Sequence, residues 1–495
     1  MNATRNQVGF EPIVASIREG AASTELRGIA PLECFLLLCG LLLGLLAYAI
    51  PHEGVLTWVV RLMALQGLLL MGVSGIESMK DGAPGKALLA SSVFLFFHYE
   101  AWLSGGVGES SFPIRVLASG YGQWPLDQIA KALIYVGVFQ VCLYAGYGFR
   151  FRLKWLSRLA EQRADLARGW LWGARYWLVV FSYFPVVASF GWSSSSILEG
   201  LLSSRVMTQS SEYTDPGYIR HFATIGLFGS ALLFQEAIRA RSVRRFWVLL
   251  LALVGAAPTF FSGTRHLLVY LFAPMAVYGF RRKVVGERKA MFTAFLLVLL
   301  LLASVAQFAY RSRGWSSEMS ASTLHEILSK PQTGQFEALL FALDLVPGRH
   351  DYFLEPMTPY FLVHPIPRAL WRDKPTPQSW TYYNDTWRKG AAFNVTPSVI
   401  GQYHINYGIL GVIMIGLWIG VVVALADRCA MALHPSRNQV GIATLGFFYA
   451  FVISSFRYYH PLYFFYFVFG CLCAWLFTEK GPRMKVVTVV RPAGG

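Results

Sequence analysis

Residues 396–424 read TPSVIGQYHINYGILGVIMIGLWIGVVVA, and from Ile409 to Ala424 no charged or amide side chain interrupts the run. About 20 such residues, rising ~1.5 Å each, cross the ~30 Å hydrocarbon layer of a bilayer. Inside lipid every peptide N–H and C=O must find a partner within the segment, which a helix provides. A barrel strand would be about 10 residues long with alternating polarity. The stretch therefore predicts a transmembrane helix whose first turns carry the polar Gln402, His404 and Asn406.

Outward from this segment the same pattern recurs. Spans are expected near 31–50, 55–76, 86–103, 130–149, 176–192, 218–238, 246–262, 266–280, 290–309, 396–424, 439–455 and 461–478. The composition agrees: 55% of residues are hydrophobic and 14% charged, against about 25% charged in soluble domains. The fold class this predicts is all-α, a polytopic membrane protein of about twelve transmembrane helices.

Charge sets the orientation. Of 43 lysines and arginines, 27 fall in one set of alternating segments and 15 in the other, with Arg61 inside a span. Nine of the 15 belong to one long loop. The basic set marks the cytoplasmic side, so both ends are expected in the cytoplasm and the opposite loops outside it. The net charge of +16 is accounted for by this topology, and nucleic acid is not expected as a partner. The expected parts are a cytoplasmic segment 1–30, spans one to nine over 31–309, a large outer loop 310–395, spans ten to twelve over 396–478, and a cytoplasmic tail 479–495.

Five of the six cysteines lie in expected spans and Cys429 at a cytoplasmic edge. That excludes a disulfide framework, and their spacing fits no zinc site. The polar first 28 residues do not read as a cleavable signal; the first helix is expected to direct insertion. The cytoplasmic segment 150–175 has a helical pattern with Trp and Arg anchors and is expected to lie on the membrane surface. No Walker loop, G-x-G-x-x-G or HExxH is present. The first outer loop, PHEG, has no carboxylate pair, so neither a metal nor a cofactor is expected.

The loop 310–395 carries most of the candidate chemistry. Residues 324–348 have apolar positions at helical spacing and are expected on or dipping into the membrane surface. Residues 355–377, EPMTPYFLVHPIPRALWRDKPTP, hold six prolines, which fix a path without a regular ladder. Arg368, Arg372 and Lys374 alternate here with Trp371, Trp380, Tyr383 and Trp387. Arg and Lys hold phosphate and aromatic rings stack on sugars; the same residues also suit an interfacial belt in contact with headgroups. Arg265, Arg311, Arg313 and Arg457 are further cations at outer positions where the positive-inside rule disfavours them. Within spans, His98 and Glu100 are expected to pair, and Gln235 with Glu236 to make helix–helix contacts.

Two stretches, HPIPRALWRDKP (364–375) and SVIGQYHINYGILG (398–411), resemble the bacterial oligosaccharide repeat-unit polymerases of the Wzy type. The matching residues are Pro367, Arg368, Trp371, Lys374 and Pro375, then Gly401, Tyr403 or His404, Asn406, Gly408 and Gly411. FSGTRH at 261–266 is similar to the Gly-Ser/Thr-Arg that opens an earlier helix in that family, and O-antigen ligases share the His…Asn…Gly-x-x-Gly pattern. Gln402 stands where the polymerases often carry Glu, and no Arg-x10-Gly repeat occurs.

The resemblance implies a GT-C-like glycosyltransferase architecture in the bacterial inner membrane, with its active site facing the periplasm. It implies polymerisation of undecaprenyl-pyrophosphate-linked oligosaccharides into O-antigen or exopolysaccharide, with membrane lipid and a chain-length-regulating co-polymerase as partners. Pyrophosphate would be held by Arg265, Arg311, Arg313, Arg368, Arg372, Lys374 and Arg457. Sugars would meet Trp371, Trp380, Tyr383, Trp387 and Tyr403. The proton acceptor would be His404, with His364 and His460 next. Two alternatives stay open: an O-antigen ligase acting on lipid A core, and a non-enzymatic flippase of lipid-linked oligosaccharide. A flippase would favour internal repeats and mid-membrane polar residues, whereas the candidates here cluster at the outer rim.

Overall fold

The computed structural model describes residues 29–104, 124–149, 163–165, 168–184, 187, 193, 195, 216–239, 243–261, 265–282, 334–356, 360, 371, 373, 375, 377–388, 397–433, 438–457 and 461–480. These form a helical bundle. Helix α1 (Pro31–Ala49) opens with proline at its first position, where a missing N–H costs nothing. It rises from what we term the lower end of the bundle to the upper end. Helix α2 (Glu53–Asp81) descends and stops at Gly82, whose left-handed φ of 69° ends the helix. Helix α3 (Gly85–Val93) climbs again and runs through a π turn at Phe94–His98 into α4 (Tyr99–Ser104). Helix α5 (Leu126–Gly148) descends through the centre.

Next come α6 (Arg168–Ser182), α7 (Pro216–Arg239), α8 (Val243–Phe261) and α9 (Arg265–Arg282). Two short helices follow, α10 (Gln335–Leu345) and α11 (Gln378–Arg388). The long α12 (Val399–Ala432), α13 (Gln439–Arg457) and α14 (Pro461–Phe477) complete the bundle. Among the described residues one antiparallel pair is formed, β1 (Arg163–Asp165) with β2 (Thr478–Lys480).

Among the described residues five helices, α1, α2, α5, α12 and α13, are long and apolar enough to cross a membrane. The outer helices α1 and α2 expose rows of leucine, among them Leu38, Leu42, Leu65 and Leu69. Rows of apolar side chains on long helices are what a bilayer covers. The expected span at 290–309 lies outside the described residues.

The centre is α5 against α12, packed backbone to backbone. A methyl group at Gly146 would overlap the Leu417 carbonyl, and one at Gly420 the Leu143 carbonyl. A methyl at Gly416 would sit 3.0 Å from Cys142 Cβ. Without a hydrophobic drive between helices in lipid, this close approach is what gives van der Waals contact its strength.

At the lower end a polar network ties the bundle together. The Glu33 carboxylate accepts from Ser74 Oγ (2.8 Å) and the Ala30 N–H (2.8 Å), and lies 3.2 Å from Lys86 Nζ. Ser74 also bonds the Tyr144 hydroxyl at 2.6 Å. The Lys86 ammonium lies over the Tyr147 ring, 5.6 Å from its centroid. Tyr147 donates to Asp427 Oδ2 at 2.6 Å, while Tyr449 and the Gly85 N–H (2.9 Å) serve Asp427 Oδ1. Six helices, α1 to α3, α5, α12 and α13, meet in these contacts.

Several expectations change. Residues 168–175, expected in a surface helix, begin α6 instead. Arg175 is buried there, bonded to Glu236 Oε2 (2.5 Å) and Gln439 Oε1 (3.2 Å). An arginine with a carboxylate partner can sit inside a bundle, where charge alone reads as the end of a span. Gln235 is buried, and Glu236 makes the helix contacts, to Arg175 and to Arg244 (2.8 Å). Helix α10 is buried among protein rather than lying on a surface. Its apolar residues go round the whole helix, as a packed core helix requires. His98 and Glu100 do not pair: Glu100 Oε2 instead accepts from the Gln335 (2.5 Å) and Phe336 (3.1 Å) N–H groups. The carboxylate thereby caps the positive end of α10.

Candidate functional site at the upper end

The site is built where α12 starts. Ser398 caps it, its Oγ accepting from the Gly401 N–H at 3.1 Å. Gly401 lets α10 come close: a methyl there would lie 3.1 Å from Ala342 Cβ. Two turns on, Gly408 takes φ 63°, ψ −148°, a left-handed φ that glycine adopts without a side-chain clash, and the helix kinks.

The kink releases two carbonyls. Ile405 O accepts from the Phe353 N–H (3.3 Å) and Asn406 O from the Leu354 N–H (3.1 Å). Segment 346–356 is thus strapped along α12 by main-chain bonds. Asn406 Oδ1 takes the Glu355 N–H at 3.3 Å, and the Tyr407 hydroxyl donates to Glu355 O at 2.5 Å. The Tyr352 ring covers Gly408 so closely that a methyl there would be 3.2 Å from its hydroxyl. Gly411, one of the motif glycines, makes room for the Tyr403 carbonyl of its own helix, which the kink brings near.

Glu355 then holds α11. Its Oε1 accepts from the Gln378 N–H (2.7 Å), and Oε2 from Ser379 N–H (3.0 Å) and Oγ (2.7 Å). Tyr383 of α11 packs edge-on to Phe341 of α10. Burial first, then the nearby Glu337 carboxylate, hold its hydroxyl pKa well above the ordinary value, so it stays protonated.

The inner wall is α5. Gln128 Nε2 donates to Leu340 O at 2.9 Å. Seven residues on, the Tyr135 ring meets His404 edge-on at 5.1 Å. His404 is fully buried between Tyr135 and Tyr352, and its Nε2 is 2.7 Å from Val346 O. A carbonyl only accepts, so Nε2 carries the proton and Nδ1 keeps its lone pair. Nδ1 has no hydrogen-bond partner among the described residues, nor does the buried side-chain amide of Gln402.

The sequence-predicted residues divide as follows. His404 and Tyr403 lie in the kinked start of α12, and Tyr403 is half-buried. Trp371 is exposed. Trp380 and Tyr383, expected to stack on sugars, are buried in the packing of α11, and neither offers a ring face to a sugar in this conformation. Arg457 ends α13, half-buried. Arg265 opens α9, though its side chain, like that of Trp387, lies outside what is described. His364, His460, Arg311, Arg313, Arg368, Arg372 and Lys374 lie outside the described residues.

Sequence reasoning missed Glu355, Tyr352 and Tyr135, which carry no signal as single letters. Lys131 did carry one: a cation at the outer edge of an expected span, where the positive-inside rule disfavours it. No protein-family model matches the chain, and neither a curated protein nor a solved structure matches it.

Proposed function

We propose that this chain is a membrane glycosyltransferase that polymerises undecaprenyl-pyrophosphate-linked repeat units into O-antigen or exopolysaccharide at the periplasmic face of the bacterial inner membrane. The upper end of the bundle is then the periplasmic end, and the full chain has about twelve spans, with 310–395 outside. One observation carries the reading. The motif residues Gly401, His404, Asn406 and Gly408 act as one unit that straps a loop to a kinked helix and leaves an imidazole nitrogen unused.

In the proposed reaction a hydroxyl oxygen of the acceptor sugar bonds to the donor's anomeric carbon. The bond from that carbon to the pyrophosphate oxygen breaks, and its electron pair leaves with lipid pyrophosphate. The hydroxyl proton goes to Nδ1 of His404, with His364 and His460 as the other acceptors to test. Arg265, Arg311, Arg313, Arg368, Arg372, Lys374 and Arg457 supply positive charge to hold the diphosphates and the leaving group. Tyr403, Trp371 and Trp387 remain for sugar contact.

Analysis of cellular glycan after deletion tests the reading. Single-repeat caps are expected; uncapped lipid-linked polymer would indicate a ligase instead, and accumulation in the inner leaflet a flippase. The topology has its own test. A thiol introduced by Asp373→Cys, at an exposed position, should react with an impermeant reagent in cells whose outer membrane alone is opened.

A further inference from the structure

The upper end holds a lysine that the reading above does not use. Gln128, Lys131 and Tyr135 are spaced by three and four residues, so they share one stripe of α5. That stripe faces inward at both ends, Gln128 toward the Leu340 carbonyl of α10 and Tyr135 toward the His404 ring of α12. Lys131, between them, is half-buried. Its charge reaches the His404 imidazole electrostatically. Asp127, one turn earlier on the same helix, is the natural partner, yet the two form no ion pair, and Lys131 has no other among the described residues.

Arg61 supplies the contrast. It also sits in the upper half of its helix, but it is exposed and lies 5.5 Å from the exposed Trp58 ring. Arg61 therefore has a route to phospholipid, with its stem along apolar surface. Lys131 is turned the other way, into the seam between α5 and α12. An ammonium drawn partly out of water, without a counter-ion, is costly unless an anion arrives. In the same seam the rings of Tyr135 and Tyr352 flank the buried His404, at 5.1 and 5.9 Å between centroids.

We propose that Lys131 is a phosphate-binding residue, donating to oxygens of a membrane-borne diphosphate that enters the α5–α12 seam, with the Tyr352 hydroxyl as a second donor. This rests on the lipid-diphosphate reading above and adds to it a site on the bundle itself, separate in sequence from the arginines of the long loop. Placed there, the diphosphate brings its attached sugar toward His404.

The test uses the full chain in phosphatidylcholine nanodiscs, with farnesyl diphosphate as probe and farnesyl monophosphate and inorganic pyrophosphate as comparators. Wild-type protein should bind farnesyl diphosphate most tightly. Lys131→Met should weaken that binding about ten-fold or more, the scale of one charge-assisted hydrogen bond. Lys131→Arg should stay within about three-fold and shows that the effect is one of charge, while Asp127→Asn should change nothing. Thermal unfolding of each variant separates lost binding from lost fold. Wild-type affinity in a folded Lys131→Met protein overturns the inference while leaving the polymerase reading intact. Equal, Lys131-dependent binding of inorganic pyrophosphate would mark a free-phosphate site and overturn the membrane-borne source. Absence of any diphosphate binding by wild-type protein would overturn the reading itself.

Discussion

The polar groups at the centres of the two ends of the bundle are engaged differently. At the lower end each carboxylate is fully engaged: Asp427 receives two tyrosine hydroxyls and a backbone N–H, and Glu33 receives Ser74, Ala30 and Lys86. At the upper end His404 Nδ1 and the Gln402 amide have no partner among the described residues, and the half-buried Lys131 forms no ion pair with any of those residues. A satisfied network gains rigidity and gives nothing to a ligand. An unsatisfied one costs stability wherever it occurs, and a site that must bind something is where that cost is offset. Burial alone therefore does not separate the two ends; what separates them is whether the groups at their centres have found partners within the bundle.

Breaking the lower network should have the largest effect. Lys86→Met leaves Glu33 buried without its cation, and removing one partner of a buried ion pair costs about 3–5 kcal/mol. The thermal midpoint of purified protein should fall sharply, and expression with it. Glu33→Gln combined with Lys86→Met should recover most of the loss, since no charge is left stranded. A single variant as stable as wild type would show that the lower network does not hold the bundle together.

The helix seam that joins the ends comes next. Gly146→Val would force α5 away from the Leu417 carbonyl, and overpacking of this kind costs about 1–3 kcal/mol. Stability should fall by less than in Lys86→Met. If the unfolding midpoint is unmoved, α5 and α12 are not in the contact that positions Lys131 and Tyr135 against His404.

How much of this could be read from the letters follows from the range of each contact. Helices α1, α2, α5, α12 and α13 were legible because apolar runs of 20 residues have one physical meaning in a charge-poor chain. The kink at Gly408 was half legible: its glycine stands in the motif, but nothing in the letters shows that its backbone turns left-handed. The Glu33–Lys86 pair was not, because it joins residues 53 apart whose separate contexts look like ordinary basic and acidic loop ends. Helix α10 reads as a surface element because its polar first turn, with Gln335 and Glu337, gives no sign that both are buried. Glu355 was invisible as a cap because the helix it serves begins 23 residues later.

That cap offers a sharper probe of the upper end. Glu355→Ala removes the acceptor for two N–H groups of α11 and for the Ser379 hydroxyl, and losing a helix cap costs about 0.5–2 kcal/mol. The loss should be local. Hydrogen exchange should rise at residues 378–382 while α1, α2 and α13 keep their protection. Exchange rising throughout the bundle would mean that the upper end holds the bundle together as much as the lower.

The smallest change in stability is expected from the residue with the largest proposed effect on activity. His404→Gln keeps an N–H donor able to reach Val346 O, so about one neutral hydrogen bond's worth of stability, roughly 1 kcal/mol, is the most at stake. The imidazole's second nitrogen has no counterpart in glutamine: an amide cannot take up a proton near neutral pH. If Nδ1 receives the acceptor's proton, chain growth should drop by about 10²–10⁴-fold, the usual contribution of a positioned base, in protein that folds and inserts normally. Capped single repeats would then dominate the glycan profile, as after deletion. Chains of normal length at a normal rate would assign His404 wholly to holding segment 346–356 in place. The proton acceptor would then be His364 or His460, or a buried carboxylate of the same layer such as Glu337.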